Sequence, residues 1–353
     1  STSYSHGACD VYFSSGSVSS GSKSNNYDVL VLQAFNAEQF NNYEYNTAEI
    51  SSVEIPTIAE GFVGEVPVTI TGKDLIQKIT VSGLTISKID YISDAKAIAY
   101  ATTTGTETET TITVSCGTAS ATGTLKVLAA EKCFSVGDII LTDGSKVSVN
   151  DVATYTIDEN NKPIGVIVST SCGGVVGKAI GLQKSASTLK WAPSGTTGYN
   201  TKFTNIVCTP SKTGSGAALT ATFTGDTDGS DNWAEICAVD PEGTKDAATN
   251  YPIFNFANTY GATAGLTGTD YENGWYVPSL AELCEVYKNK GVIQTSLTKA
   301  SGFTFGTSAY WSSSQSASDD DGAYRVYFDD GYVYNFYKDY NMYVFVLQAL
   351  TAE

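Results

Sequence analysis

The chain carries a copy of its own end at its beginning, and this limits its fold more than any other feature. Residues 7–38 lie over 322–353 at a constant offset of 315, without a gap, and 16 of the 32 positions are identical. Gly7-Ala8-Cys9-Asp10-Val11-Tyr12-Phe13 matches Gly322-Ala323-Tyr324-Arg325-Val326-Tyr327-Phe328, and Val29-Leu30-Val31-Leu32-Gln33-Ala34-Phe35 matches Val344-Phe345-Val346-Leu347-Gln348-Ala349-Leu350. Such self-similarity marks an internal structural repeat. The identical positions include Val11, Phe13, Gly16, Val18, Lys23, Val29, Val31, Leu32 and Gln33, which read as framework. Elsewhere the copies diverge: Ser17 faces Tyr332, Ser19 faces Tyr334, Ser22 faces Tyr337, Asn25 faces Tyr340 and Asp28 faces Tyr343. Core positions that hold while surface positions scatter describe one scaffold carrying two recognition surfaces.

The later copy has the composition of a binding surface. Val326 and Phe328 alternate towards one face, Asp329-Asp330-Gly331 is a turn signal, and Val333 resumes the apolar face. Around them stand Tyr324, Arg325, Tyr327, Asp329, Asp330, Tyr332, Tyr334, Asn335, Tyr337, Asp339, Tyr340, Asn341 and Tyr343. Large amphipathic rings with few rotors, interleaved with short hydrogen-bonding side chains, make the palette of an antibody-like paratope. The competing reading is an ordinary tyrosine-rich antiparallel sheet, since tyrosine favours strands. The repeat pattern favours the first, so these thirteen residues are expected to form an exposed ligand-binding face.

A chain of 353 residues is long enough for two or three domains with their own cores. Its net charge of −17 argues against a nucleic-acid partner, and no apolar run approaches the length that spans a bilayer. Few charged residues, abundant Thr, Ser, Gly and Tyr, 8 Pro and one Met suggest a β-rich extracellular or cell-surface protein. The seven cysteines are odd in number and form no C-x-x-C pair, so a zinc site is not expected. Some would pair in an oxidising compartment and others would sit reduced in cores. Cys9, opposite Tyr324, reads as a variable surface position.

Taken in order, residues 1–38 are the closing strands of an incomplete repeat, and 39–50 are a polar linker. So few strands make no stable unit, so a longer parent chain or a neighbouring subunit is expected to complete them. Gly16 is expected at the turn position of Gly331. Residues 51–130 hold short alternating strands, among them Val66–Gly72, Ile79–Ser82, Thr111–Val114 and Gly123–Val127, as in an immunoglobulin-like β-sandwich. Val68-Thr69-Ile70-Thr71-Gly72-Lys73-Asp74-Leu75 resembles the opening strand of bacterial surface Ig-like domains. Residues 133–353 mix strands with a few short helices. The clearest helix begins at Ser279, whose capping box is completed by Glu282, and Leu280, Leu283, Cys284 and Tyr287 form its apolar stripe.

Three phrases in this last region carry a resemblance. Asp228-Gly229-Ser230-Asp231-Asn232-Trp233, Gly274-Trp275-Tyr276-Val277-Pro278-Ser279-Leu280-Ala281-Glu282-Leu283 and Tyr310-Trp311-Ser312-Ser313-Ser314 occur in that order. Together they resemble the bacterial DUF1566 domains of the Lcl C-terminal type, which have a C-type-lectin-like fold. The resemblance covers 133–353 and again 1–38. The arrangement looks like large spirochaete or Bacteroidetes surface proteins, and the variable end resembles the retroelement-diversified variable proteins. The fold expected is thus mainly β with an α+β part: an Ig-like β-sandwich, then a C-type-lectin-like domain, preceded by the closing strands of another lectin-like copy. The resemblance implies that Trp275, Trp311 and the serines after Trp311 are core-facing. The lectin calcium–sugar motifs Glu-Pro-Asn and Trp-Asn-Asp are missing. Asp226, Asp228 and Asp231 have calcium-loop spacing without the bidentate Glu, so a solvated turn is favoured over calcium, and no cofactor is expected.

No nucleophile–base pair is visible. His6 is the one histidine, and the runs Asp319–Asp321 and Asp329–Asp330 sit in turn contexts. The expected function is therefore non-enzymatic: a secreted or surface-displayed adhesion module, its spacer holding out a lectin-like head towards a protein or glycan on another cell. The alternative is a structural subunit or tandem-repeat segment of an extracellular fibre or sheath, with neighbouring copies of itself as partners.

Overall fold

The computed structural model describes residues 7–12, 17–22, 48–75, 78–103 and 108–353. The chain divides into two units, Ser1–Thr47 and Ala48–Glu353. In the first, β1 (Gly7–Tyr12) and β2 (Ser17–Ser22) pair antiparallel. The expected turn glycine Gly16, His6 and the framework residues of 23–38 lie outside the described residues.

The second unit begins with a two-sheet sandwich. One sheet takes the order β3 (Glu49–Glu54), β5 (Glu65–Lys73), β8 (Lys96–Thr102), β7 (Thr85–Ser93). The other takes β4 (Ile58–Ala59), β10 (Ala119–Leu128), β9 (Thr108–Cys116), β6 (Ile79–Ser82). Strand alternation builds the core between them. Val66, Val68 and Ile70 of β5 and Ala97, Ala99 and Ala101 of β8 face Ile112 and Val114 of β9 and Leu125 and Val127 of β10, all buried. Each buried Val, Leu or Ile contributes about 1.5–3 kcal/mol.

Packed side chains, as well as the backbone, join the sandwich to the residues beyond Leu128. Ala59 of β4 and Leu128 of β10 belong to the same buried cluster as Cys133, Phe134 and Val175. Gly173, with φ +71°, is required at this joint: a Cβ there would lie 2.7 Å from Ala59 Cβ.

The remaining residues form a mixed head. Its larger sheet runs β12 (Lys146–Val147), β11 (Ile139–Leu141), β13 (Pro163–Ser171), β14 (Val176–Gly181), β20 (Leu347–Thr351), all antiparallel. A short pair, β15 (Cys208–Pro210) and β16 (Phe223–Gly225), lies within the Gly- and Thr-rich passage. A third sheet runs β17 (Ala309–Gln315), β18 (Gly322–Tyr327), β19 (Val333–Tyr337). The helices are short: α1 (Ala217–Thr220), α2 (Asn232–Val239), α3 (Ala247–Asn250), α4 (Pro252–Asn258), α5 (Tyr260–Thr263), α6 (Leu280–Lys288) and α7 (Lys290–Lys299). As expected, α6 opens with a capping box between Ser279 and Glu282 and buries Leu280, Leu283, Cys284 and Tyr287. Pro252 divides α3 from α4 because it starts the second helix, where its missing N–H costs nothing. The fold is thus mainly β with an α+β part.

Two cores flank the larger sheet. Ile167 joins an aromatic core of Trp191, Phe203, Tyr251 and Phe254, while Val166 and Val168, of opposite strand parity, join a core with α6, α7, Phe305, Tyr310 and Phe345. Ile164 shares the parity of Val166 but joins the aromatic core, because the β11–β13 register shifts there, with Ile140 opposite Gly165 and Leu141 opposite Pro163.

Candidate ligand-binding face

The three phrases that carry the family resemblance meet in space as one polar node. Glu282 Oε2 accepts from the backbone N–H groups of Gly229 (2.9 Å) and Ser279 (2.8 Å), and Oε1 accepts from Tyr276 Oη (2.8 Å) and from Lys178 Nζ. Asn232 donates to Ser313 Oγ at 2.8 Å, Leu280 N–H donates to Ser314 Oγ at 2.9 Å, and Ser279 Oγ donates to Thr227 O at 2.7 Å. Burial, with Glu282 beside it, pushes the Tyr276 phenol far up, so it stays a donor. The node ties 227–232, α6 and β17 together, and Trp275 and Trp311 are buried beside it in the aromatic core.

This framework presents the β18–β19 hairpin. Its register is Ala323↔Phe336, Tyr324↔Asn335, Arg325↔Tyr334 and Val326↔Val333. The N-terminal hairpin pairs Ala8↔Gly21, Cys9↔Ser20, Asp10↔Ser19 and Val11↔Val18, which is the same register displaced by 315 residues. The turn between β18 and β19 is set by Gly331, with φ +70°, whose N–H donates to Tyr327 O. In the C-terminal copy the framework residues matching the N-terminal ones are all buried: Val326, Phe328, Gly331, Val333, Lys338, Val344, Val346, Leu347 and Gln348.

The face is smaller than the thirteen residues expected. Tyr334, Tyr337 and Tyr340 are 43%, 51% and 51% exposed, and Asp329, Asp330 and Asn341 are exposed with them. Tyr327, Tyr332, Asn335, Asp339 and Tyr343 are half-buried. Two residues are corrections. Tyr324 is buried: it has the strand parity of Val326 and Phe328, and that side of β18 packs on the core with α6. The position of Cys9 therefore corresponds to a buried one in the C-terminal copy. Arg325 is also buried, with its guanidinium Cζ 4.6 Å from the ring centroid of Tyr327 and 4.4 Å from that of Phe336. Tyr343 leaves the group, packing near Tyr310 with Lys184 Nζ 4.4 Å from its ring centroid.

The exposed and half-buried rings form two runs. Tyr327, Tyr332 and Tyr334 are linked at 6.3 and 6.0 Å, and Phe336, Tyr337 and Tyr340 at 4.5–6.3 Å. Arg325 lies between Tyr327 of the first run and Phe336 of the second. The acids and amides largely hold backbone. Asp330 Oδ1 accepts from Tyr332 N–H, Asp329 Oδ1 from Asp330 N–H, and Asn335 Nδ2 donates to Asp319 Oδ2 at 2.6 Å.

Sequence reasoning passed over two residues. Phe336 completes the second run. Lys338 is fully buried, and its Nζ donates to Asp320 O (2.7 Å), Gly198 O (2.9 Å) and Thr201 O (3.0 Å) over the rings of Trp191 and Phe203. Burial pushes this amine down to about 7 against the pull of Asp320 and Asp321. Its identity with Lys23 was the available signal.

Asp226, Asp228 and Asp231 do not converge on one point. Asp228 pairs with Lys178 at 3.2 Å, and among the described residues no three His, Cys, Asp or Glu side chains are grouped to hold a metal ion. Cys133, Cys172, Cys208, Cys237 and Cys284 are free thiols, and burial pushes Cys208 and Cys284 up to about 12. No helix among the described residues is long and apolar enough to cross a membrane.

No family model and no curated protein matches the chain. Among solved structures it is similar to a fimbrial protein from Bacteroides ovatus ATCC 8483, at 14% identity and a TM-score of 0.43 over 85% of this chain and 69% of that one. It is also similar to the Yersinia pseudotuberculosis adhesin InvE, at 13% identity and a TM-score of 0.18 over 86% and 97% of the two chains. Domains 4 and 5 of the S-layer protein SbsC give 17% identity and a TM-score of 0.15 over 24% and 54%.

Proposed function

We propose that this chain is an extracellular or cell-surface adhesion module without enzymatic activity. The sandwich of 48–128 is an Ig-like spacer, and the head is a C-type-lectin-like scaffold displaying the Tyr334, Tyr337 and Tyr340 surface to a protein or glycan on another cell. One observation carries the reading. Val326, Phe328, Val333, Lys338, Val344, Val346 and Leu347, which are identical between the two copies, are buried, whereas Tyr334, Tyr337 and Tyr340, which replace Ser19, Ser22 and Asn25, are exposed. Exposed rings on a rigid hairpin offer contact area at low entropic cost. The test is binding of the labelled chain to a panel of bacterial and host cells, with and without alanine at all three tyrosines. Loss of binding in a folded variant is expected, and unchanged binding would overturn the reading.

A second reading, a subunit or tandem segment of an extracellular fibre, is favoured by the hairpin register that recurs at an offset of 315. Ordered filaments formed by the 37.3 kDa chain, and lost in the same triple variant, would select it.

A further inference from the structure

Arg325 stands out in a hairpin whose other buried cation is well met. Lys338 gives its ammonium protons to three carbonyl oxygens. Arg325 is 8% exposed, yet among the described residues no carboxylate or carbonyl accepts from its guanidinium, and Nε is buried without a hydrogen-bond partner. The rings of Tyr327 and Phe336 stack on the cation but do not satisfy its N–H donors. A buried charge without an acceptor is costly, and each such group in a folded protein calls for an explanation. The guanidinium fork matches a carboxylate, which takes two parallel N–H···O bonds.

The surroundings narrow the class of ligand. Arg325 is paired across the sheet with exposed Tyr334, and Phe336 leads from it to exposed Tyr337 and Tyr340. Carboxylates lie nearby in sequence and along the hairpin, at Asp319–Asp321, Asp329, Asp330 and Asp339, on a chain of net charge −17. An acidic protein surface or a polyanion would meet repulsion from these groups. A single carboxylate on an otherwise neutral, hydroxyl-rich ring would meet far less, and its hydroxyls would donate to the same aspartates.

We propose that Arg325, at the base of this aromatic face, anchors a carboxylate-bearing sugar, with the sugar ring lying on the exposed tyrosines. The proposal rests on the reading of the hairpin as a binding face and names its ligand class. The sequence-equivalent position in the N-terminal copy is Asp10, so that copy should not take an acidic sugar.

The test titrates the full chain with D-glucuronic acid, with D-glucose and with a glutamate-rich peptide, read by saturation-transfer NMR. Glucuronic acid should bind saturably and glucose at least about tenfold more weakly, since the charge-assisted pair is lost. Arg325→Lys should weaken glucuronic acid by about tenfold, since an ammonium does not reproduce the fork. Because Arg325 is packed, Tyr334→Ala and Tyr340→Ala serve as variants at exposed positions. They should weaken glucuronic acid several-fold with an unchanged melting temperature. Equal binding of the two sugars, undiminished binding by the folded Arg325→Lys variant, or binding of the peptide alone would overturn the proposal. If tyrosine-dependent cell binding persists while glucuronic acid fails to bind, the ligand class falls and the binding face stands.

Discussion

Lys338 Nζ donates to the backbone carbonyl oxygen of Asp320 across 2.7 Å, tying the turn after β19 to the loop before β18. The same ammonium holds Gly198 and Thr201, so one side chain closes three backbone segments around Trp191. Replacement by methionine fills the space but leaves three carbonyls without a donor. Lys338→Met is expected to cost about 3 kcal/mol, read from urea unfolding. A loss under about 1 kcal/mol would mean that water replaces the ammonium.

Stability should depend on pH in a way that identifies this lysine. Its folded-state amine is lowered to about 7 from an ordinary value of 10.5, so the unfolded chain binds the extra proton between those values. Stability therefore rises with pH across that window. Buried Cys208, Cys284 and Tyr260 have the opposite sign: each is raised to about 12, and their contribution is lost as pH climbs through 9 and 10. Thermal melts should show a rise from pH 7 to 9 and a fall above 10. Lys338→Met should flatten the rise and leave the fall, and a variant that keeps the rise would refute the assignment.

Glu282 takes four hydrogen bonds and pairs with Lys178. Glu282→Ala should destabilise the head by about 3 kcal/mol, because it leaves the partly buried Lys178 ammonium with only the more exposed Asp228 and removes half of the capping box of α6. Adding Lys178→Met should recover part of that loss. A double-mutant cycle with no coupling would mean that the two side chains act independently.

The joint between sandwich and head depends on Gly173. Gly173→Ala places a Cβ against Ala59 on a backbone with positive φ, at a cost of about 1–2 kcal/mol. Faster proteolysis in the connection at 129–133 is the expected sign, and an unchanged cleavage pattern would show that the joint yields without opening.

Much of this was legible in the residues. Identity between the copies marked many of the buried positions, Lys338 included, since packing forbids change where surface does not, although it also fell on exposed Asn341 and Ala349 and missed buried Tyr324 and Arg325. The capping box placed α6, and Asp329-Asp330-Gly331 placed the turn. Burial of Tyr324 was legible too: a strand's period of two puts it with Val326 and Phe328, and reading the tyrosines by composition hid their parity. What the residues could not show is where partners come from. Lys338 finds acceptors 18, 137 and 140 residues away, and Lys178 finds Glu282 at a separation of 104, distances at which no local pattern survives. Whether Arg325 would meet a carboxylate was likewise open, because acids abound beside it in the chain. The fold turns those acids into the hairpin turn and the adjoining loops and leaves the guanidinium between two rings, so tertiary structure alone decided that it would lack a carboxylate partner in this unit.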